Sequence, residues 1–266
     1  MHKLAVIGNP IEHSMSPLIW SLFAKELGIE LDYQKIFAKD EKDFAIQVHG
    51  FFKAGGMAIN VTSPFKQNAF SISDIHTSRA SFCKAANFLS ITNSEQILAD
   101  TTDGMGLVND LILNKNEKLI NKNILIIGSG FVLDSVLLDL IANNPLSIDI
   151  LARNQQRVSF LHDKFATDCF NLQKNYDIII NTTPNSPDNT LFGMVEFIND
   201  NVLCYDMAYT KSLFLNTMQN VNSNIRVYNG LGMLIEQAKV AFIKLFAQTP
   251  NSKVVFENLF KMGCYV

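Results

Sequence analysis

The sequence predicts an α/β protein built around mostly parallel strands. Short apolar runs alternate along its 266 residues with longer amphipathic stretches, the pattern of repeated strand–helix units. Hydrophobic residues make up 48% of the chain and charged residues 18%, which suits a packed core and excludes a disordered chain. At about 100–200 residues per domain, the length corresponds to one large domain or two smaller ones.

The first elements are two strand–helix units and a third strand. Ser16 is expected as the N-cap of the first helix, with Pro17 at its first position. Gly55-Gly56 is expected to end the second helix. The predicted strands are Leu4–Ile7, Asp32–Phe37 and Met57–Val61, and the predicted helices are Pro17–Leu27 and Lys42–Lys53.

A second group of elements follows Asp103. Its predicted strands are Ile124–Ile127, Ser147–Leu151, Tyr176–Asn181, Val202–Tyr205 and Ile225–Tyr228. Its predicted helices are Met105–Leu113, one from the turn at 128–130 to about Asn143, Gln155–Phe165, Leu231–Phe246 and Lys253–Met262. We therefore expect residues 1–103 and 231–266 to form one domain, and residues 104–230 a second, inserted domain.

Composition excludes several classes of function. A net charge of −3 offers no basic surface for nucleic acid. The most apolar stretch, residues 124–142, is interrupted by polar residues, so no membrane span is predicted. The cysteines are scattered, which predicts a reducing cytoplasm, and they have no histidine at metal-ligand spacing, which predicts no metal. These are Cys83, Cys169, Cys204 and Cys264.

A glycine-containing turn after strand 124–127 predicts a dinucleotide site. Gly128, Ser129 and Gly130 lie between a strand and a helix, where small residues let a phosphate approach backbone N–H groups. A full fingerprint would have a third glycine where this chain has Leu133. An ordinary tight strand-to-helix turn is the alternative.

Basic residues at the end of the next strand favour NADP over NAD. An NAD site usually has an acidic residue there, whereas this strand runs into Ala152-Arg153-Asn154, with Arg157 following. Asp149 lies mid-strand and is expected to point elsewhere. An arginine fork suits a 2′-phosphate, and the alternative is a solvated surface arginine.

Polar residues are expected at the strand exits of the first domain, the edge at which open α/β sheets bind ligands. Ser14 and Ser16 could bind a carboxylate, although Ser16 could serve only as a helix cap. Lys66 could work at a polar cleft or be an ordinary surface amine. The remaining candidates at such exits are Asn60, Thr62, Asn87 and Thr101–Gly104.

These residues belong to motifs that resemble the shikimate dehydrogenases. In order, the motifs are GNPIEHSMSP, NVTSPFK, AAN, TTDG, YDMAY and NGLGMLIEQA, and they run from about Val6 to Ala238. The resemblance implies a substrate domain joined to a Rossmann-like NADP domain. It also implies NADPH-dependent, reversible reduction of 3-dehydroshikimate to shikimate.

The resemblance also implies roles for individual residues. Lys66 and Asp103 match the catalytic pair. The positions that match substrate-binding residues are Ser14, Ser16, Asn60, Thr62, Lys66, Asn87, Asp103, Tyr209 and Gln237. The positions that match cofactor-binding residues are Gly128, Ser129, Gly130, Phe131, Val132, Ala152, Arg153, Asn154, Arg157, Met207 and Gly230. These residue types suit the chemistry, because hydride delivery to a ketone needs a proton donor and positive charge nearby.

The sequence departs from the family's pattern mainly on the cofactor side. Phe131 stands where a glycine is usual, and it could crowd the pyrophosphate or pack beneath the helix. The other departures are Thr101, Ser135, Ala152, Asn154 and residues 181–184. They predict normal substrate chemistry with weaker NADPH binding.

The sequence leaves two other functions and the oligomeric assembly open. A quinate/shikimate dehydrogenase that uses NAD is the nearest alternative, and Arg153 argues against it. The other alternative is a non-catalytic shikimate-binding paralogue, which the cofactor-side departures support. A homodimer is considered as the assembly.

Overall fold

The structure is a computed structural model that describes residues 1–184, 191–192, 200–209 and 211–263. The chain divides into two compact units. One unit consists of Met1–Gly106 and the segment that starts at Ile235, and the other is Leu107–Leu234. Among the described residues, no helix is long and apolar enough to cross a membrane.

The first unit is a six-stranded sheet with flanking helices. Its strands are β1 (His2–Gly8), β2 (Leu31–Phe37), β3 (Ala58–Val61), β4 (Ile75–His76), β5 (Phe88–Ile91) and β6 (Ile97–Asp100). Its helices begin with α1 (Ser16–Glu26), α2 (Glu41–Lys53), α3 (Lys66–Ser71) and α4 (Ser78–Cys83). The strand order is β2-β1-β3-β5-β6-β4.

This sheet is mostly parallel, as predicted, and its one exception is β5, which runs antiparallel to both of its neighbours, β3 and β6. The other strand pairs in the sheet are parallel. The sequence of a short buried strand such as β3 is mostly apolar. Such a run does not indicate whether the strand is parallel or antiparallel to its neighbours.

Alternate side chains of β1 belong to the hydrophobic core that packs against this sheet. From Leu4 to Gly8 every residue of β1 is buried, and Ala5 and Ile7 pack with Ile59 of β3 in one hydrophobic cluster. Helix α2 covers that cluster with Phe44 and Val48, which lie one turn apart on one face.

The prediction that Ser16 caps the first helix is wrong. Met15 is the N-cap residue, without a side-chain bond, and Ser16 is the first residue of α1. The Ser14 hydroxyl instead accepts the Ser16 N–H at 3.3 Å. A serine two residues earlier therefore satisfies one of the free N–H groups that a helix start exposes.

The described residues of the second unit form a sheet of six parallel strands. They are β7 (Asn123–Ile127), β8 (Ser147–Leu151), β9 (Asp168–Cys169), β10 (Ile178–Asn181), β11 (Leu203–Asp206) and β12 (Arg226–Asn229), in the order β12-β11-β10-β7-β8-β9. The order reverses between β7 and β10. Open parallel sheets bind ligands in the crevice at this switch point, outside the carboxyl ends of the strands.

Six more α-helices and a π-helix complete the elements in the described part of the chain. They are α5 (Asp103–Asn109), which continues into a π-helix over Asp110–Asn114, and α6 (Val132–Ile141), α7 (Gln155–Phe165), α8 (Leu213–Val221), α9 (Leu231–Phe246) and α10 (Ser252–Lys261). In the second unit, two hydrophobic clusters use opposite faces of the sheet: Ile124 and Ile126 belong to one, and Leu125 and Ile127 to the other.

Candidate active site

The candidate substrate residues of the first unit gather at one edge of its sheet. Strands β1, β3 and β6 all end at this edge, because β6 is antiparallel to β5 and so runs in the direction of β3. The prediction that Asn87 follows a strand exit is wrong. Asn87 precedes β5, and the reversed direction of β5 brings the start of this strand to the same edge.

Lys66 and Asp103 form an ion pair at this edge. The Lys66 Nζ atom lies 2.8 Å from Asp103 Oδ2, and the two side chains are 22% and 11% exposed. Lys66 is the first residue of α3 and Asp103 the first residue of α5, so each extends from a helix start that follows a strand. Partial burial holds the Lys66 ammonium group in one position beside Asp103 and leaves it accessible to a ligand.

The Asn87 side chain connects this pair to two other predicted residues. Its Nδ2 atom donates to Asp103 Oδ1 at 3.0 Å, to Thr102 Oγ1 at 3.0 Å and to Gln237 Oε1 at 3.2 Å. Its Oδ1 atom accepts the Thr102 backbone N–H at 2.8 Å. Asn87, Asp103 and Gln237 are therefore held together by a buried network.

Tyr33 is a site residue that the sequence analysis missed. Its hydroxyl donates to Asn60 Oδ1 at 2.6 Å, and it also bonds the Ser16 side chain. Burial raises the pKa of the Tyr33 hydroxyl well above its ordinary value, so it is neutral and can donate. Because Tyr33 lies mid-strand in β2, no motif or strand end marks it in the sequence.

Ser14 and Thr62 complete the predicted residues of this unit. Both are half-buried, and they follow β1 and β3. The Thr62 N–H donates to Ile7 O at 3.0 Å, which holds the segment after β3 beside β1. A Cβ on Gly8 would overlap the Thr62 methyl group, so the close approach of these segments requires glycine.

The second unit has a loop suited to an anionic group at the switch point of its sheet. Gly128 has φ +116°, and a Cβ there would overlap the Thr182 hydroxyl. A Cβ on Gly130 would lie in open space. The N–H groups of residues 129–132 have no acceptor within the described parts of the chain. Free N–H groups ahead of a helix form an anion site.

The segment after β8 presents Arg153 to solvent and anchors Arg157. Arg153 is exposed, and it has no ion pair with any described residue. Asn154 caps α7 by accepting the Arg157 N–H at 3.0 Å, while Ala152 is buried. The Arg157 guanidinium pairs with Asp134 of α6.

The remaining predicted cofactor residues of this unit follow β11 and β12. The Met207 N–H donates to Asn181 O at 3.0 Å, and the Gly230 N–H donates to Ala208 O at 3.0 Å. A Cβ on Gly230 would overlap the Met207 carbonyl. Tyr209, predicted as a substrate residue, also lies in this unit, and burial raises the pKa of its hydroxyl.

A buried aspartate holds the segment that contains Met207. Asp206 accepts hydrogen bonds from the Ala208 N–H at 3.0 Å, from Asn181 Nδ2 at 3.2 Å and from the Ser212 hydroxyl. Burial raises the pKa of the Asp206 carboxyl, and the three hydrogen bonds oppose that rise. Asp206 thus connects the end of β10 and the start of α8 to the segment that follows β11.

Comparisons with known proteins identify the family. Residues 6–89 match the family model of the shikimate dehydrogenase substrate-binding domain. A shikimate dehydrogenase (NADP⁺) of Colwellia psychrerythraea is 38% identical over 96% of this chain and 94% of that protein. The enzyme of the same name from Vesicomyosocius okutanii is 36% identical over 97% and 99%. The chain belongs to the shikimate dehydrogenase family.

The shikimate dehydrogenase from Aquifex aeolicus has the same fold. Its crystal structure gives a TM-score of 0.86 at 21% identity and covers 97% of each chain. The comparisons therefore confirm the family and the fold class that the sequence motifs predicted.

NADP fits the described residues of this chain. Free N–H groups at 129–132 suit a pyrophosphate, and an exposed guanidinium at Arg153 suits a 2′-phosphate. Phe131 does not pack beneath the helix. Its side chain is 55% exposed, and its ring lies 5.7 Å from the Arg157 guanidinium carbon.

Proposed function

We propose that this chain catalyses the reversible, NADPH-dependent reduction of 3-dehydroshikimate to shikimate. The observation that carries the proposal is the Lys66–Asp103 ion pair inside the Asn87 network, in a chain of this family. NADPH supplies the hydride when it is bound. The chain's own residues bind the substrate, orient it and supply the proton.

Lys66 is proposed as the catalytic acid and Asp103 as its partner. Reduction of a ketone leaves negative charge on the carbonyl oxygen, and an ammonium group can offset that charge and donate a proton to the oxygen. Asp103 holds Lys66 Nζ in place through one carboxylate oxygen, while Asn87 fixes the other. In the reverse direction the same Lys66 amine accepts the hydroxyl proton.

The other polar groups at this edge are proposed to bind the substrate's hydroxyls and carboxylate. Ser14, Ser16 and Thr62 offer hydroxyls, and Asn60 and Gln237 offer amides. Asn60 Nδ2 is buried and has no partner among the described residues, so it is a donor available to a ligand hydroxyl. Tyr209 is proposed to contact the same substrate, and the residue positions named above for the cofactor are proposed to bind NADP.

Shikimate oxidation with NADP⁺, followed at the absorbance of the reduced nicotinamide, tests the proposal. Lys66→Ala should lower kcat by about 10²–10⁴-fold, the usual contribution of a positioned acid–base group. Lys42→Ala is the matched control, because Lys42 is exposed on α2. No turnover in the unaltered chain would contradict the activity, and full turnover in Lys66→Ala would contradict the assignment of Lys66.

Calorimetry separates this enzyme from a non-catalytic paralogue. The proposed enzyme binds both shikimate and NADP⁺, whereas a paralogue that has lost its cofactor site binds shikimate alone. Steady-state rates with quinate and with NAD⁺ separate it from a quinate/shikimate dehydrogenase that uses NAD. We also propose a cytoplasmic, homodimeric protein. Fractionation of cells and the mass in solution by light scattering would test these two points.

A further inference from the structure

Asp134 has no role in the proposed function, but it contacts Arg157, one of the residues proposed above to bind NADP. Asp134 lies in the first turn of α6, directly after the glycine loop, and its side chain is only 3% exposed. Two cations from α7 meet its carboxylate: Arg157 at Oδ2, and Lys164 at Oδ1 with Nζ 2.7 Å away. The buried Asp134 carboxylate is therefore ion-paired with Arg157, the arginine that follows the proposed cofactor segment 152–154.

Two aromatic rings also hold the same arginine. The Arg157 guanidinium carbon lies 4.9 Å from the centroid of the Phe160 ring and 5.7 Å from that of the Phe131 ring. The Arg157 side chain is 18% exposed, whereas Arg153 is exposed and unpaired among the described residues. Stacking and pairing together fix a guanidinium firmly, because both act on its planar fork.

We infer that Asp134 is a specificity-determining residue that weakens the preference for NADP over NAD by holding and neutralising Arg157. This inference rests on the proposed NADP-dependent function. The 2′-phosphate is the group that distinguishes NADP from NAD, and cations that can bond it bidentately favour NADP. Pairing with Asp134 reduces what Arg157 contributes to binding that phosphate, so Arg153 contributes more than Arg157.

The electrostatics of the cluster give the direction of the effect. Two cations, Arg157 and Lys164, contact the Asp134 carboxylate, and Arg153 lies two residues before the start of α7. Replacing Asp134 with the neutral, isosteric asparagine removes the negative charge and the strongest acceptor of Arg157. Arg157 then becomes able to bond a phosphate, while Phe131 and Phe160 still flank it.

Calorimetric titration with NADP⁺ and with NAD⁺ tests the inference without relying on activity. The quantity measured is the Kd for NAD⁺ divided by the Kd for NADP⁺. Asp134→Asn should raise this ratio about tenfold, within the range expected of one added charge-assisted hydrogen bond. Asp163→Asn is the matched control, because it removes the same charge from a position of α7 outside the Asp134 cluster and should leave the ratio unchanged.

A second pair of variants shows whether Arg157 carries the effect. Asp134→Asn combined with Arg157→Gln should lose the gain in the ratio. An unchanged or lowered ratio in Asp134→Asn, or a gain that persists in the double variant, would overturn the inference. If Asp134→Asn does not fold, the two arginines are substituted one at a time in the otherwise unaltered chain. There, Arg153→Gln should lower the ratio more than Arg157→Gln does, and the reverse ranking would overturn the inference.

Failure of the inference and failure of the proposed function remain distinguishable. An unaltered chain that binds no NADP⁺ contradicts the proposed function. An unaltered chain that binds NADP⁺ and oxidises shikimate, but whose ratio does not respond to Asp134→Asn, contradicts the inference alone.

Discussion

Buried hydrogen-bond networks hold individual polar side chains of this protein in place. In the first unit, Asn87 donates to Asp103, Thr102 and Gln237 from one amide nitrogen. A hydrogen bond to a charged group contributes about 1.5–3 kcal/mol, more than a neutral one, so the Asn87–Asp103 bond is the strongest of the three. Its role follows from geometry: it keeps one carboxylate oxygen of Asp103 occupied while the other holds Lys66.

Asp206 gives a prediction at the same scale in the second unit. Burial raises the pKa of its carboxyl, so between its ordinary pKa and its raised pKa the folded protein binds more protons at this position than the unfolded chain. The contribution of Asp206 to stability is therefore fully present below the ordinary aspartate pKa and is lost as pH rises through the raised pKa. A carboxyl whose pKa is higher by one in the folded state than in the unfolded state changes the free energy of unfolding by about 1.4 kcal/mol across that range.

Urea unfolding of the unaltered chain and of Asp206→Asn, from about pH 4 to about pH 8, checks this prediction. The free energy of unfolding of the unaltered chain, minus that of Asp206→Asn, should fall as pH rises. Subtracting the variant cancels the titration of every other group that the substitution leaves alone. A difference that stays constant or rises with pH would contradict the raised pKa.

At the scale of elements, the direction of short strands decides which residues meet. The motifs NVTSPFK, AAN and TTDG identified Lys66, Asn87 and Asp103 in the sequence. The sequence could not show that β5 is antiparallel, since a four-residue strand with three apolar residues looks alike in either direction. Tyr33 and Asp134 were missed for a related reason: one lies inside a strand and the other inside a helix, and their partners are distant in sequence.

The start of α2 shows how closely local sequence fixes an element. The prediction began this helix at Lys42, and the structure begins it at Glu41, with Asp40 as the N-cap. The Asp40 carboxylate accepts the Asp43 N–H at 2.9 Å. Asp43 in turn accepts the Lys39 N–H at 2.9 Å, a reciprocal arrangement like that of a capping box.

Asp40→Ala should lower the free energy of unfolding by about 1 kcal/mol, because it leaves an N–H group at the helix start without an acceptor. Asp40→Ser is the matched control, since a serine hydroxyl can accept the same bond and should restore most of the stability. Steady-state rates with shikimate should stay unchanged in both variants, because α2 contains none of the candidate site residues. Equal stability of the Ala variant and the unaltered chain would show that this cap contributes nothing.

At the scale of the whole molecule, the two units differ in how the chain builds them. The unit with the candidate substrate residues is made from two separated segments, whereas Leu107–Leu234 is continuous. The prediction from the sequence places the changes of unit after Asp103 and before Leu231. The structure changes unit a few residues later, within α5 and within α9. Helices that continue from one unit into the next hide such boundaries, because their apolar periodicity does not stop there.

The continuous unit has what an independent fold requires. Hydrophobic clusters cover both faces of its parallel sheet. One cluster includes Leu107 and Met233, which lie at the two ends of this chain segment, and the other includes Phe214. The glycine loop and Arg153 also lie within it. We therefore predict that a fragment of residues 107–234 unfolds cooperatively and binds NADP⁺ with a Kd within about tenfold of that of the full chain.

Thermal unfolding with each ligand checks this prediction and also assigns the ligands to the units. A ligand raises the stability of the state that binds it by RT ln(1 + [L]/Kd), so it stabilises only a chain that contains its site. NADP⁺ should raise the Tm of both the fragment and the full chain, whereas shikimate should raise that of the full chain alone, because Lys66, Asn87 and Asp103 are absent from the fragment. Arg153→Gln in the fragment is the control for specific binding, and it should reduce the NADP⁺ shift. A fragment without a cooperative transition would mean that the second unit depends on the first to fold. A fragment that shikimate stabilises would mean that this unit, which contains Tyr209, binds shikimate without Lys66, Asn87 and Asp103.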